Sequence, residues 1–262
     1  SSNTRKSCHG GDRGDGTSCS YGRYENAIYA GSAGDYRSNE ELGHGGGVVK
    51  LSAMSLVLNG VITADGSYSR TLAGAGGSIN INVESLIGTS SALMSADGGN
   101  SSYVHSSYNA GAGGRISVYA TNFDEFSGQF TAVGGRSGRI SGHGTVYKHE
   151  FGKAYGHLVV DGENTSSLYQ YGKTPLRSVG RHSIVGVYEV TPGVWKIEVD
   201  GIPWIPSNNI YQYGLDGLFV DLDASEFGSA SYTVVNNTQN ILEVHTNDNL
   251  YDTLGNSLVG VH

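Results

Sequence analysis

Glycine clusters recur along the first part of the chain, and each one leads directly into a short strand-like run. The runs begin at residues 48, 78, 115 and 145, so successive units are 30, 37 and 30 residues long. An A-D-G-like turn follows each run, at 62–66, 94–99, 130–135 and 158–162. Four units with one order of glycine cluster, strand, turn and variable loop therefore occupy residues 45–164.

This repeat predicts a stack of coils, because a single unit has too little apolar surface to fold alone. Glycine at the same place in every coil marks a corner where φ is positive or where two backbones approach closely. An antiparallel sandwich is the competing fold. It explains the alternation of apolar residues but not the repetition of one motif order. We therefore predict an all-β chain in which residues 1–165 form a right-handed parallel β-helix, or solenoid, with an N-terminal loop.

The composition narrows the classes of function. The 262 residues include 41 Gly and only 15% charged residues, but also 17 Tyr, whereas disordered segments are poor in aromatic residues. The net charge of −8 argues against nucleic acid as a partner, since phosphate backbones attract basic surfaces. No apolar run approaches the roughly 18 residues of a membrane span. We predict neither nucleic-acid binding nor membrane insertion.

The composition changes near residue 165, and this change predicts a second domain over residues 166–262. All four Pro and both Trp follow this point, and strand-like runs alternate there with turns such as Thr191–Gly193. We predict a small β-domain, sandwich-like or barrel-like, or a cap over the open end of the helix. A cap is expected because an exposed terminal coil offers a strand edge to other chains.

Residues 8–165 resemble the glycine-rich parallel β-helix regions of very large bacterial extracellular, adhesin-like surface proteins. The segments that carry the resemblance are Cys8–Gly11, Gly31–Gly34, Gly45–Leu51, Val57–Gly66, Gly113–Tyr119 and Gly144–Lys148. The resemblance implies an extracellular or cell-surface location, a binding or structural role, and a chain that is part of a larger polypeptide. It brings no set of catalytic residues with it.

Cys8 and Cys19 lie in a glycine-rich loop at the N-terminal end of the chain. A disulfide between them is sterically plausible and would restrain this loop. The alternative is a pair of free thiols in a cytosolic protein. The tripeptide Arg13–Asp15 lies between the two cysteines; it is either an integrin-binding motif or an ordinary product of a Gly-, Asp- and Arg-containing linker.

The variable loops follow the A-D-G-like turns, at residues 67–76, 100–112 and 136–141, and the long loop at 20–44 carries further tyrosines, including Tyr21, Tyr24 and Tyr36. Insertions at one point of each repeat line one face of a solenoid, often the binding face. Tyrosine offers a flat apolar ring and a hydroxyl group to a glycan or a protein. The alternative is that the tyrosines pack the loops onto the helix. The predicted ligand-binding residues are Tyr36, Arg37, Tyr68, Arg70, Tyr103, His105 and Tyr108.

Asp221 and Asp223 are the candidate metal ligands, because oxygen ligands at alternate positions suit Ca²⁺. The surrounding sequence does not match an EF-hand, so a solvated acidic turn is the alternative. The sequence predicts no other cofactor.

Some parallel β-helix proteins cleave polysaccharides, so catalysis is an alternative function for this chain. A glycosidase needs two carboxylates about 5–10 Å apart, and Asp65 and Asp97 occupy equivalent positions in neighbouring coils. An Asx-type hydrogen bond in the turn also explains both residues. We therefore predict a non-catalytic binding module. A polysaccharide-active enzyme or tailspike-like depolymerase is the alternative, and a structural spacer is the second alternative.

Overall fold

The computed structural model describes residues 7–12, 19–34, 42–102, 110–138, 140–153, 155–162, 172–204, 214–225 and 231–261. The chain separates into two compact units, Ser1–Pro175 and Leu176–His262. The division falls after Pro175 because the residue just before it, Thr174, still contacts the first unit. There the Thr174 hydroxyl donates to the carbonyl oxygen of His143 at 2.6 Å.

Strands of the first unit, called the solenoid below, form two sheets. The five-stranded sheet has the order β1-β3-β5-β7-β8, and the three-stranded sheet has the order β2-β4-β6. The strands are β1 (Val48–Leu58), β2 (Val61–Thr63), β3 (Ser78–Gly88), β4 (Leu93–Ser95), β5 (Arg115–Ala120), β6 (Gln129–Thr131), β7 (Thr145–Glu150) and β8 (His157–Val159).

Strands of successive coils pair in parallel and in register. One ladder joins the residues at which the repeat predicts each strand to begin: Val48, Ser78, Arg115 and Thr145. The equivalent ladder of the three-stranded sheet joins Ile62, Met94 and Phe130. The predicted parallel β-helix is therefore confirmed, together with the unequal lengths of its coils.

The fourth coil differs from the prediction. The motif at 158–162 predicts a strand that stacks in parallel on β6, but β8 pairs antiparallel with β7, with Val159 opposite Val146. Gly152 adopts a φ of 79° in the turn between these strands, a value that favours glycine and helps the chain to reverse. Within the described part of the chain the second sheet ends at β6, so the prediction of four complete coils is wrong.

The interior of the solenoid is built by alternation along each strand. Ile79, Ile81 and Val83 of β3 are fully buried in one core cluster. Ile116 and Val118 continue their ladders on β5. Burying one such side chain contributes roughly 1.5–3 kcal/mol. Stacking therefore supplies the core that a single coil lacks.

The glycine clusters bring the backbones of neighbouring coils into direct contact. Gly77, Gly114 and Gly144 donate their N–H groups to the carbonyl oxygens of Ala64, Ala96 and Ala132 at 2.7, 2.7 and 2.6 Å. A Cβ atom added to Gly114 would overlap the carbonyl oxygen of Gly77. These corner glycines do not have a positive φ. Of the two roles expected for them, close backbone approach is the one the structure shows.

Replacing Gly114 by alanine should therefore destabilise the solenoid. We expect Gly114→Ala to lower the free energy of unfolding by about 2–3 kcal/mol, because overpacking against fixed backbone has no flexible neighbour to relieve it. Gly47→Ala is the matched control, since an added Cβ there meets no atom within 4 Å. Urea denaturation of both variants checks the prediction, and equal stabilities would contradict it.

The second unit is a closed antiparallel barrel with the order β10-β13-β12-β11-β14-β9. Its strands are β9 (Arg181–Thr191), β10 (Val194–Val199), β11 (Phe219–Asp221), β12 (Tyr232–Asn237), β13 (Ile241–His245) and β14 (Ser257–Val261). Trp195 and Trp204 are buried in its core. The predicted small β-domain is confirmed in barrel form, whereas its role as a cap stays a prediction.

Helical structure in the described ranges is limited to one 3₁₀ turn, Tyr251–Thr253. Within those ranges, no helix has the length and hydropathy needed to cross a bilayer.

Candidate functional site

The variable loops leave the solenoid side by side, from one ladder of backbone contacts. Ser69 forms a parallel bridge with Ser101. The N–H of Ser101 donates to the carbonyl oxygen of Arg136 at 2.9 Å, and the N–H of Arg136 donates to Oδ1 of Asn100 at 2.7 Å. The insertions of three coils therefore begin on a single face, called the loop face below.

Tyr68 and Arg70 flank Ser69 at the start of this face. Both side chains are exposed, and Tyr68 exposes 61% of its surface. The exposed tyrosine is not packed onto the helix, which is the condition that binding by Tyr68 requires. The other predicted ligand-binding residues lie outside the described part of the chain: Tyr36, Arg37, Tyr103, His105 and Tyr108.

Two tyrosines of the N-terminal segment 19–34 behave differently, because they pack against the solenoid. The Tyr21 hydroxyl donates to the carbonyl oxygen of Ala30 at 2.5 Å, and its ring lies 4.8 Å from the His9 ring. Burial raises the pKa of Tyr21 to about 12. The Tyr24 ring lies 5.4 Å from the ring of Tyr147 on β7. The packing explanation therefore holds for Tyr21 and Tyr24.

A disulfide joins the N-terminal segment to residues 7–12, and a buried histidine in turn joins residues 7–12 to the solenoid. A disulfide links Cys8 to Cys19, as the sequence predicts, with their Cα atoms 5.8 Å apart. His9 is fully buried and its Nδ1 lies 2.9 Å from the carbonyl oxygen of Gly76. Burial, assisted by the charge of Arg115, lowers the pKa of His9 to about 3, so His9 is neutral at ordinary pH. The Arg13–Asp15 tripeptide lies outside the described residues.

Asp65 and Asp97 each bond to the coil that follows their own. Oδ1 of Asp65 accepts the Ser95 hydroxyl at 2.5 Å and the N–H of Asp97 at 2.7 Å. Oδ1 of Asp97 accepts the N–H of Val133 at 2.8 Å, and its Oδ2 accepts the Thr131 hydroxyl at 3.2 Å. The bonds run between coils, so the expected local Asx-type explanation is corrected.

These bonds account for both aspartates as structural groups of the stack. Burial, and to a smaller extent the Asp65 carboxylate, raises the pKa of Asp97 above its ordinary value of 3.8. The third coil has Val133 at the equivalent position, and no fourth strand stacks on β6 among the described residues. Asp65 and Asp97 therefore each hold the corner of the coil that follows.

The raised pKa of Asp97 predicts a pH dependence of stability. Protonation of Asp97 is easier in the folded than in the unfolded chain, so its contribution is present below pH 3.8 and is lost as the pH rises through the raised value. Asp97→Asn keeps an oxygen acceptor for Val133 but does not titrate. We expect wild-type stability to fall relative to Asp97→Asn across this window. Urea denaturation between about pH 3 and pH 7 measures it, and a relative rise would contradict the assignment.

Asp221 and Asp223 form consecutive turns in the barrel. Oδ1 of Asp221 accepts the N–H of Asp223 at 2.9 Å, and Oδ1 of Asp223 accepts the N–H and hydroxyl of Ser225 at 3.0 and 2.5 Å. These bonds from Ser225 lower the pKa of Asp223. Among the described residues, no three His, Cys, Asp or Glu side chains form a metal-binding group. Calcium binding at these residues stays a prediction.

A groove at the C-terminal end of the solenoid was not predicted from the sequence. Its two adjoining parts have volumes of about 320 and 490 Å³, and Lys148 lines both. Lys148 occupies an interior ladder position, opposite Val118. Its Nζ lies 5.7 and 5.9 Å from the ring centroids of Phe123 and Phe130. The sequence signal was the change from Val118 to Lys148 at one register position.

Comparison with known proteins gives no identification: no family model, curated protein or solved structure matches the chain.

Proposed function

We propose that this chain is a non-catalytic, ligand-binding module of a secreted or cell-surface protein. The observation that carries the proposal is the common origin of the variable loops on one ladder, Ser69 to Ser101 to Arg136. A solenoid fixes the spacing of such loops while leaving their sequences free to vary. The loop face therefore has the properties of a binding surface supported by a rigid scaffold.

The exposed side chains at the start of the loop face support two classes of ligand. The Tyr68 ring provides a flat apolar surface with a hydroxyl at its edge, and Arg70 provides planar hydrogen-bond donors. This pair suits a glycan, through ring stacking and hydroxyl recognition, or the polar surface of a protein. An adhesin-like role on a bacterial cell surface, within a larger polypeptide, is the setting that we propose.

Two observations support the location and the absence of catalysis. The Cys8–Cys19 disulfide favours an oxidising, extracellular compartment. Asp65 and Asp97, the carboxylate pair best placed by sequence for glycoside cleavage, use their oxygens to join adjacent coils. A carboxylate held in this way is poorly suited to act as a nucleophile or proton donor.

Binding through the loop face is tested by a glycan array, run with and without Ca²⁺, and by two variants. We expect selective binding, and we expect Tyr68→Ala and Arg70→Ala each to weaken it about tenfold, as for a lost contact of about 1.4 kcal/mol. The melting temperature should change by only a few degrees, because both side chains are exposed.

Tyr188→Ala is the matched control, since Tyr188 lies on the barrel and is 50% exposed. It should leave binding unchanged. Binding that survives both loop-face substitutions would contradict the proposed surface. A well-folded protein that binds nothing on glycan or protein arrays would favour the structural spacer.

A further inference from the structure

The two sheets of the solenoid end at different positions along its axis. The five-stranded sheet continues through β7 and β8, whereas the three-stranded sheet ends at β6. Strands in a sheet are spaced about 4.8 Å apart, so the larger sheet extends past β6 by roughly 10 Å. This overhang creates a groove beside β6 that belongs to the solenoid and is separate from the loop face.

The open edge of β6 directs backbone hydrogen-bonding groups into the groove. The N–H of Gln129 donates to Ala92 on the β4 side, and the carbonyl oxygen of Thr131 accepts from Ala96 on that side. Backbone groups alternate along a strand, so Phe130 directs its N–H and C=O to the opposite edge. Among the described residues, no strand pairs with that edge.

The walls of the groove combine apolar side chains with the charged groups of Lys148 and Asp161. Val146 and Lys148 of β7 and Val159 of β8 line a volume of about 320 Å³ together with Phe130. The Lys148 ammonium group lies 5.9 Å from the centroid of the Phe130 ring. A ligand in this position meets a strand edge along one side, and apolar and charged side chains on the other.

The solenoid itself specifies what an occupant of this position looks like. The interior ladder Ile62, Met94 and Phe130 requires an apolar residue at the centre of the next strand. Small residues, Ala64, Ala96 and Ala132, follow one position beyond each strand. The segment 157–162 has the apolar centre, Leu158, but has Val160 in place of the small residue, and the chain uses its first half in β8.

A second copy of the chain does not fit the groove with its first coil. In that coil β1 and β2 lie at the same height along the solenoid axis, because their partners β3 and β4 both belong to the next coil. The overhang of β7 and β8 keeps such a level pair away from β6. A single extended strand meets no such obstacle.

We propose that the groove between β6 and the overhanging β7 and β8 binds an extended peptide segment of a partner protein, in parallel register with β6. The peptide carries an apolar residue opposite Phe130, with small residues after it. Its backbone accepts the Phe130 N–H and donates to the Phe130 carbonyl oxygen, which is recognition by strand addition.

The test uses a peptide with a strand sequence of the solenoid itself. The labelled peptide acetyl-Ala-Leu-Met-Ser-Ala-Asp-Gly-amide reproduces residues 92–98, whose strand already lies in parallel register with β6. Fluorescence anisotropy should show saturable binding to the full chain. A peptide of the same composition with Asp in place of the central Met, and Met moved to the Asp position, should bind at least about tenfold more weakly.

Backbone methylation provides a matched pair of probes that leaves the protein unchanged. In parallel pairing, the serine N–H of the peptide donates to Phe130, whereas the methionine N–H points away from β6. N-methylation of the serine should weaken binding about tenfold, as for one lost hydrogen bond of about 1.4 kcal/mol. N-methylation of the methionine should weaken it less than about twofold. Equal effects of the two methyl groups would overturn strand addition.

The position of the bound peptide is read from amide chemical shifts of the protein. Changes centred on Phe130 and Val146 are expected. Changes centred on Tyr68 and Arg70 would place the peptide on the loop face and overturn this proposal while supporting the proposed function. Absence of peptide binding would also overturn it. Disulfide trapping in a Thr131→Cys, Val159→Cys double variant would then show whether β8 itself fills the groove.

Discussion

Direct contact between the backbones of successive coils is the constraint on which the solenoid depends. At each corner a glycine N–H reaches an alanine carbonyl of the preceding coil, as in Gly77 to Ala64 at 2.7 Å. A side chain at Gly114 has no room, because the carbonyl oxygen of Gly77 fills that space. This contact keeps the interior ladders in register. Loop length is free to vary between the corners without disturbing the core.

The stacking of the coils determines the positions of both surfaces proposed for binding. Loops that begin on the ladder from Ser69 to Arg136 are held side by side because the coils beneath them are in register. At the other extreme, the second sheet stops at β6 while β7 and β8 continue. Asp65 and Asp97 each accept hydrogen bonds from the coil that follows them and so hold its corner.

The sequence predicted the strand positions of the periodic part of the solenoid. It did not predict the path of the chain after β7, where a single turn reverses the chain. Strand positions 48, 78, 115 and 145 were predicted because glycine clusters and apolar alternation coincide there. The path of residues 157–162 depends on the turn at Gly152, where a positive φ helps the chain to reverse. Gly152 stands alone and not in a glycine cluster, but a lone glycine does not by itself predict a reversal. The groove at Lys148 was missed because it exists only where the predicted fourth strand is displaced. Tyr68 and Arg70 were predicted as candidates because insertion points follow the repeat, and their role in binding stays a prediction.

Amide hydrogen exchange of the corner glycines tests the central claim most directly, since it reports the free energy needed to open each contact. The account predicts that the amides of Gly77 and Gly114 exchange only through global unfolding of the solenoid, with an opening free energy equal to that from urea denaturation. The exposed amide of Gly47 should exchange far faster. Rapid exchange at Gly77 and Gly114, at rates like that of Gly47, would contradict the account and place the stability of the stack elsewhere.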